Sequence, residues 1–486
     1  MKTCTILIKD EVNCKLVDLD IDFRKKLVRK FKYEVPGARY LPAVKLGRWD
    51  GKIAFFQLGG GTYINLLDEI LPLVIAAGYE IEVDDRREYN STFEFDKVTN
   101  DSFSHITWPE GHQIAGEPIV IRDHQVDAIN NYLENPQSLQ SIATGAGKTV
   151  IAAALSLKAE PYGRSIVIVP SKSLVMQTEE DYINMGLDVG VFFGGRREYT
   201  KTHTICTWQS LNSLFKKTKT GEAPIPFADF IADVVCVIVD EVHSAKGDAL
   251  KSMLSGPMSH IPLRWGLTGT IPQIPSEFKT IQTTIGNVVG QVTAAELQEK
   301  GILAKCKVHI KQLQDNRDLG NYQSELKFLL SNGDRLDHIA EMIMNFNTSG
   351  NTLVLVDRVS AAEELALRMG NSNVSVVTGK VKAEKRKEEY DEIRDVDDKI
   401  IIATYGVAAV GLNIPRIFNL VLIEPGKSFV RVIQSIGRSL RVADDKTEAD
   451  IYDITSNCKF AKRHLTARKR FYAEAEYDFK VEKIKY

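Results

Sequence analysis

The stretch "ATGAGKTV" at residues 143–150 sets two glycines and an alanine immediately before Lys148 and Thr149. A glycine-rich loop running into a helix points backbone N–H groups at anionic oxygens, and the helix N-terminal dipole adds to that field. Thr144, Gly145, Ala146 and Gly147 would then cradle phosphates. Lys148 would reach the β- and γ-phosphates, and Thr149 would hold Mg2+. Ile142 stands where the strict phosphate-loop pattern has glycine. The plainer alternative is a flexible turn with a solvated lysine. Further on, "VCVIVDEVHS" (235–244) puts two carboxylates at the C-terminal end of an apolar run, where ligands gather in open α/β sheets. Asp240 would hold the metal, partly through water, and Glu241 would position or deprotonate an attacking water. Such a pair says little alone and gains its force from the loop ahead of it. A third element, "QSIGRSLR" (434–441), offers Gln434, Arg438 and Arg441. The two arginines are three apart and share one helical face. Arginines there are ordinarily just solvated. Phosphoryl transfer, however, develops negative charge that a guanidinium stabilises, by about 10³–10⁵ in rate.

Chemistry of this kind needs elements to carry it. Short apolar runs end at polar loops and alternate with helical stretches: "RSIVIVP" (164–170), "THTICTW" (202–208), "DVVCVIVDE" (233–241) and "RWGLTGT" (264–270). The theme restarts at "NTLVLVD" (351–357), "DKIIIAT" (398–404), "FNLVLIE" (418–424) and "ADIYDIT" (449–455). Runs apolar on both faces predict parallel sheets covered by helices. The reading is therefore an α/β chain with two tandem parallel-sheet domains, over residues 116–297 and 298–456. A small mixed α/β domain precedes them at 1–115, and a C-terminal basic amphipathic helix follows at 457–486. The arginines lie on a different domain from the phosphate loop, so hydrolysis would require two domains to close on one nucleotide.

The bulk numbers bound the rest. A chain of 486 residues at 44% hydrophobic content has enough apolar mass for a sizeable core. The formal net charge of −2 gives no global sign of a polyanion partner, so nucleic acid would have to bind local clusters. Six scattered cysteines form no C-x-x-C pair, which suits reduced thiols in the cytoplasm and disfavours zinc. No apolar run is long enough to span a membrane, and the N-terminus lacks a signal peptide's apolar stretch.

Taken together, the motifs resemble those of superfamily 2 helicases and translocases, in that family's order. "IRDHQVDAI" (121–129) resembles the element that reads adenine, with Gln125 and Arg122. "VPSKSLVMQ" (169–177) resembles motif Ia, with Ser171 and Lys172 on the nucleic acid, and "TWQSL" (207–211) adds Gln209. "LTGT" (267–270) resembles motif III, in which Thr268 and Thr270, with His243 of the acidic box, couple the ATP site to the track. "ATYGVAAVGLNI" (403–414) resembles motif V, with Thr404 toward nucleic acid and Gly411 toward the nucleotide. The resemblance implies two RecA-like motor domains that use ATP and Mg2+.

The first domain narrows the resemblance. "YEVPGARYLPAVKLGRWDGKIAFF" (33–56) is similar to the N-terminal domain of UvsW-type helicases of T4-like phages. This implies action on branched or duplex-containing DNA in recombination and repair: fork regression, branch migration, R-loop or D-loop unwinding, and annealing. By residue count the same region is basic, with ten Lys/Arg against two acids between Arg24 and Lys52. Clustered Lys/Arg supply sequence-independent phosphate binding. "GRWDGKIAFF" reads as a β-hairpin turned at Asp50-Gly51, presenting Lys45, Arg48 and Lys52 to phosphates. Trp49, Tyr40 and Phe55 would either pack the hairpin or stack at an opened junction. At the other end, Phe460, His464, Ala467, Phe471 and Ala475 form a helical stripe for docking, opposite Lys462, Arg463, Lys469 and Arg470. A cytoplasmic monomer is expected, with single-strand-binding or recombination proteins as partners left open. An RNA helicase, a duplex translocase that separates no strands and a DNA-bridging relic remain as rivals.

Overall fold

The computed structural model describes residues 2–87, 92–110, 114–243, 248–346, 350–370, 373–377, 398–407, 417–426, 448–474 and 476–486. The chain divides into two compact units, Met1–Ile142 with Gly147–Gln291, and Ala143–Ala146 with Val292–Tyr486.

The first unit begins with strands β1 (Lys2–Ile8), β2 (Asn13–Val17), β3 (Lys32–Glu34), β4 (Lys52–Ala54), β5 (Gly61–Tyr63) and β6 (Tyr79–Asp85). Asp10 closes the β1–β2 turn by accepting from the backbone N–H groups of Val12 and Asn13 at 2.9 and 2.7 Å. β1 then pairs antiparallel with β2 and parallel with β6, giving the sheet order β5-β2-β1-β6. Alternation along β1 and β2 turns Cys4, Ile6, Cys14 and Leu16 into a core with Leu27, Phe31, Phe55, Phe56, Ile70 and Val74. Helices Ile21–Lys30 and Leu67–Ala76 supply its cover.

The hairpin expected at Asp50-Gly51 is not formed as such. β4 pairs antiparallel with β3, and residues 35–51 connect them through two short helical turns, Ala38–Tyr40 and Pro42–Lys45. Pro42 opens the second turn, where its missing N–H costs nothing, and so blocks a strand before Asp50. Gly51 still reverses the chain, at φ +75°, and its carbonyl accepts from Val35 N–H at 2.9 Å. Phe55 is fully buried and is therefore a core residue, not a stacking platform.

The larger sheet of this unit contains β7 (Gln137–Ile142), β8 (Arg164–Val169), β9 (Val189–Phe193), β10 (Arg196–Arg197), β11 (His203–Thr207), β12 (Val234–Asp240), β13 (Leu263–Thr268) and β14 (Asn287–Val292), in the order β10-β9-β11-β8-β12-β13-β7-β14. The pairs from β9 through β7 are parallel, as runs apolar on both faces predict. Arg264 departs from that pattern. It is fully buried at the start of β13 and donates to the carbonyls of Thr284, Met258, Ile261 and Leu254.

The four-stranded sheet, with its cover, is fastened to β7 of the larger sheet, to helices Asp248–Ser255 and Pro275–Thr284 and to the loop at Ser259. Gln137 donates to Glu11 O at 2.7 Å and accepts from Asn65 at 2.9 Å. Asn13 reaches Ser255 O at 2.9 Å, Glu11 N–H reaches Ser259 O at 3.0 Å, and Glu69 accepts from Gln282 at 3.0 Å while pairing with Lys279.

The second unit is built on β15 (Lys305–Leu313), β16 (Asn351–Val356), β17 (Val374–Val377), β18 (Ile400–Thr404), β19 (Ile417–Ile423), β20 (Glu448–Ser456) and β21 (Asp478–Ile484), in the order β17-β18-β16-β19-β20-β15-β21. Every pair among them is parallel. At β20 and just past the C-terminal ends of β15 and β19 lies an ionic cluster. Arg335 donates to Asp315 at 3.1 Å and to Glu424 at 2.6 Å. Arg468 bonds both oxygens of Asp453, which also accepts from Tyr472 at 2.7 Å.

The C-terminal segment extends past the expected helix. Helix Lys459–Glu474 is followed by β21, which joins the sheet beside β15. The buried face of the helix is Ala461, Leu465, Arg468 and Tyr472. The stripe expected from apolar spacing lies one position off it, with Phe460, His464, Ala467 and Phe471 only partly buried. The buried Asp453 explains the shift, because its charge draws Arg468 inward, and no apolar count registers that pull. Ala475 lies outside the described residues.

Candidate nucleotide and nucleic-acid sites

Lys148 opens helix Lys148–Ala159, directly after Gly147 at φ +83°. That left-handed φ strains any residue but glycine, and a Cβ there would stand 2.3 Å from Gln125 Nε2 and push the amide aside. Gln125 is buried, and its Oε1 accepts from Arg122 N–H at 2.9 Å, which fixes the amide at the start of helix Asp123–Glu134. Arg122 itself is exposed. Gly145 is also left-handed, at φ +91°, and the Thr144 hydroxyl is buried with no hydrogen-bond partner among the described residues. A left-handed glycine and an orphaned hydroxyl fit an anionic ligand that supplies the missing bonds.

β12 delivers the acidic pair. Glu241 takes φ +48°, a left-handed turn unusual outside glycine, and its N–H donates to Asp240 Oδ1 at 2.9 Å. Strain of this kind collects at functional positions. Lys148 Nζ donates to Glu241 Oε1 at 2.9 Å, and His243 Nδ1 lies 3.3 Å from Glu241 Oε2. His243 Nδ1 also stands 3.0 Å from Thr268 Oγ1. Thr268 in turn donates to Thr270 O and accepts from Thr270 N–H, at 2.8 and 3.1 Å. One continuous chain thus runs from Lys148 through Glu241 and His243 to Thr268 at the end of β13.

The electrostatics separate the two carboxylates. Burial opposes charge on Glu241, yet the lysine and imidazole beside it hold its carboxyl far below the usual range. Burial and the Glu241 charge push Asp240 up to about 6. Among the described residues no group of three or more His, Cys, Asp or Glu is arranged for a metal, and the Mg2+ roles expected of Asp240 and Thr149 remain a proposal. Gln434, Arg438, Arg441 and Gly411 lie outside the described residues. Thr404 ends β18 and is half-buried.

Ser171, Lys172 and Gln209 line one groove of about 410 Å³ in the first unit. Ser171 caps helix Lys172–Asn184, accepting from Leu174 N–H at 3.3 Å. The same groove holds Arg196, Arg197 and Lys217, which the motif reading omitted. Arg196 is already paired with Glu179 and Glu198, whereas Arg197 and Lys217 are exposed. The "GGRR" run at 194–197 was the available signal.

In the first domain Lys45 and Arg48 are exposed, while Lys52 stands 3.6 Å from Glu34. Lys462, Arg463 and Arg470 are exposed on the C-terminal helix, and Lys469 is half-buried. No described helix is long and apolar enough to cross a membrane.

Two family models match the chain: "Type III restriction enzyme, res subunit" over residues 118–273 and "Helicase conserved C-terminal domain" over 334–443. The chain is 24% identical over 466 residues to the ATP-dependent DNA helicase uvsW of Enterobacteria phage T4, covering 91% of this chain and 88% of that protein. It is 22% identical to a DNA 3'-5' helicase XPB of Kineococcus radiotolerans, covering 76% and 66%. Among solved structures, Dbp5 of S. cerevisiae, bound to RNA and ADP BeF3, superposes with a TM-score of 0.55 at 15% identity, over 76% of this chain and 90% of that one.

Proposed function

We propose that this chain, a member of superfamily 2 of the ATP-dependent helicases, is a DNA helicase or translocase that works on branched DNA. The carrying observation is the bonded series Lys148–Glu241–His243–Thr268, in the same unit as the basic groove at Ser171, Lys172 and Gln209. Without nucleotide, Lys148 holds Glu241. An arriving triphosphate competes for the lysine and frees the carboxylate to orient or deprotonate water. Glu241 then leans on His243, whose ring reports the change to Thr268 at the end of β13. Mg2+, held by Thr149 and by Asp240 through water, would supply charge neutralisation at the transferring phosphate. Gln125 and Arg122 serve the adenine end. Gln434, Arg438 and Arg441 would act from the second motor domain.

The DNA assignment draws on the relatives named uvsW and XPB, both DNA helicases. The branched-DNA assignment draws on the basic first domain, with Lys45 and Arg48 outward, and on the likeness to uvsW along most of the chain. In this reading residues 1–115 grip duplex or branched DNA, residues 116–297 and 298–456 form the motor, and the basic face of the C-terminal helix adds phosphate contacts. ATP turnover measured with forked DNA, linear duplex, single strands and RNA tests the assignment. Forks should stimulate most. Stimulation by RNA alone, or by linear duplex with no strand separation on forks, would replace it with one of the rival motors.

A further inference from the structure

We propose that residues 36–48 form a wedge that enters branched DNA at its junction, with Tyr40 stacking on an unpaired base and Leu41 and Leu46 set against the last base pair. The inference rests on the DNA-motor reading and names the part of the first domain that meets the opened strands.

Three large apolar side chains are turned to water within one short stretch. Tyr40 and Leu46 are each 64% exposed, and Leu41 is 47% exposed. Single exposed leucines are ordinary, but apolar groups gathered at one place mark a surface that meets something. Its chemistry is also one-sided. Residues 35–49 contain Arg39, Lys45 and Arg48 and no carboxylate. Asp50, just beyond, is taken by Lys32. Apolar faces ringed by uncompensated cations match bases ringed by phosphates. Arg39 already lies over the Tyr40 ring at 4.8 Å and donates to its hydroxyl at 2.7 Å, holding the aromatic outward.

The support beneath is firm. Val35 and Gly51 are joined backbone to backbone at 2.9 Å, and Trp49 Nε1 donates to Lys52 O at 2.9 Å. Ala38 is buried under the segment. Tyr33 packs edge-on against the buried Phe55, with ring centres 5.9 Å apart. A wedge must not fold away under load, and these bonds keep its apolar side chains from collapsing onto the domain. The domain is itself bonded to β7, the strand before the Lys148 loop, through Asn65 and Gln137, and to helix Pro275–Thr284 through Glu69 and Gln282.

The test uses the full chain and forks carrying 2-aminopurine at the junction. Wild type should change the junction fluorescence on binding without ATP. Tyr40→Ala with Leu46→Ala should lose most of that change and slow ATP-driven fork unwinding by about tenfold, the scale of one lost stacking contact. ATP turnover on linear duplex and the salt dependence of fork binding should stay native. Tyr40→Trp should keep the signal. A double variant with native fluorescence change and native unwinding overturns the wedge, and such a patch would instead serve a protein partner. If no DNA stimulates wild-type turnover, the DNA-motor reading falls and takes the wedge with it.

Discussion

Glu241 is the residue on which the candidate chemistry turns, because it meets Lys148, His243 and Asp240 at once. Lys148→Ala should abolish ATP turnover and leave DNA binding largely intact, since the basic surfaces lie elsewhere. Near-native DNA-stimulated turnover in that variant would remove the phosphate-loop assignment. Glu241→Gln keeps the shape and loses the base. It should bind ATP at least as tightly as wild type, because Lys148 is no longer held by a full charge, yet turn over at least a hundredfold more slowly, on the scale of lost general-base catalysis. Weaker binding with unchanged turnover per bound ATP would contradict this. The identities at the site were legible in the sequence because phosphate loops and acidic boxes are local in the chain. The left-handed backbone of Glu241 and the fit of Gln125 against Gly147 were not, since both depend on how distant segments meet.

At the scale of elements, sheets read better than the charged groups buried in and beside them. Apolar runs foretold β8, β11, β12, β13, β16, β18, β19 and β20, because a buried parallel strand needs apolar side chains on both faces. Arg264 and Arg468 are fully buried, their donors satisfied by carbonyls and a carboxylate that no sequence window reveals. The cluster in the second unit sets three carboxylates, Asp315, Glu424 and Asp453, near two guanidiniums, Arg335 and Arg468. That imbalance agrees with Glu424 rising to about 7, burial being the main cause. The sign follows. A carboxylate whose folded pKa is raised costs nothing below its unfolded value, costs more as pH climbs from about 4.5 to about 7, and levels off above. Glu424→Gln removes the cost while still accepting from Arg335. Urea unfolding at pH 5 and pH 7.5 should show the variant's stability falling less across that interval than wild type's, by on the order of a few kcal/mol. Equal falls would mean that Glu424 is fully ionised and balanced.

For the whole molecule, the first domain is more than an appendage. Removing residues 1–115 strips partners from Gln137, Ser255, Ser259, Lys279 and Gln282. The truncated chain should still hydrolyse ATP, melt several degrees lower by calorimetry and bind forks poorly. Native melting and native fork affinity would refute that. The same geometry divides the phosphate contacts unequally. Arg48→Ala should reduce the log–log salt slope of fork binding by about one unit, and Lys52→Ala by less, because Glu34 already shares that charge. Equal losses would show that the Glu34 pairing dissolves on DNA. A different consequence attaches to β21. It is the outer neighbour of β15, so until residues 478–484 emerge from the ribosome a nine-residue strand is left with an open edge. Open edges invite pairing with other chains. A messenger truncated before Asp478 would therefore yield a motor whose chief defect is self-association during synthesis, a hazard for the cell's chaperones more than for catalysis.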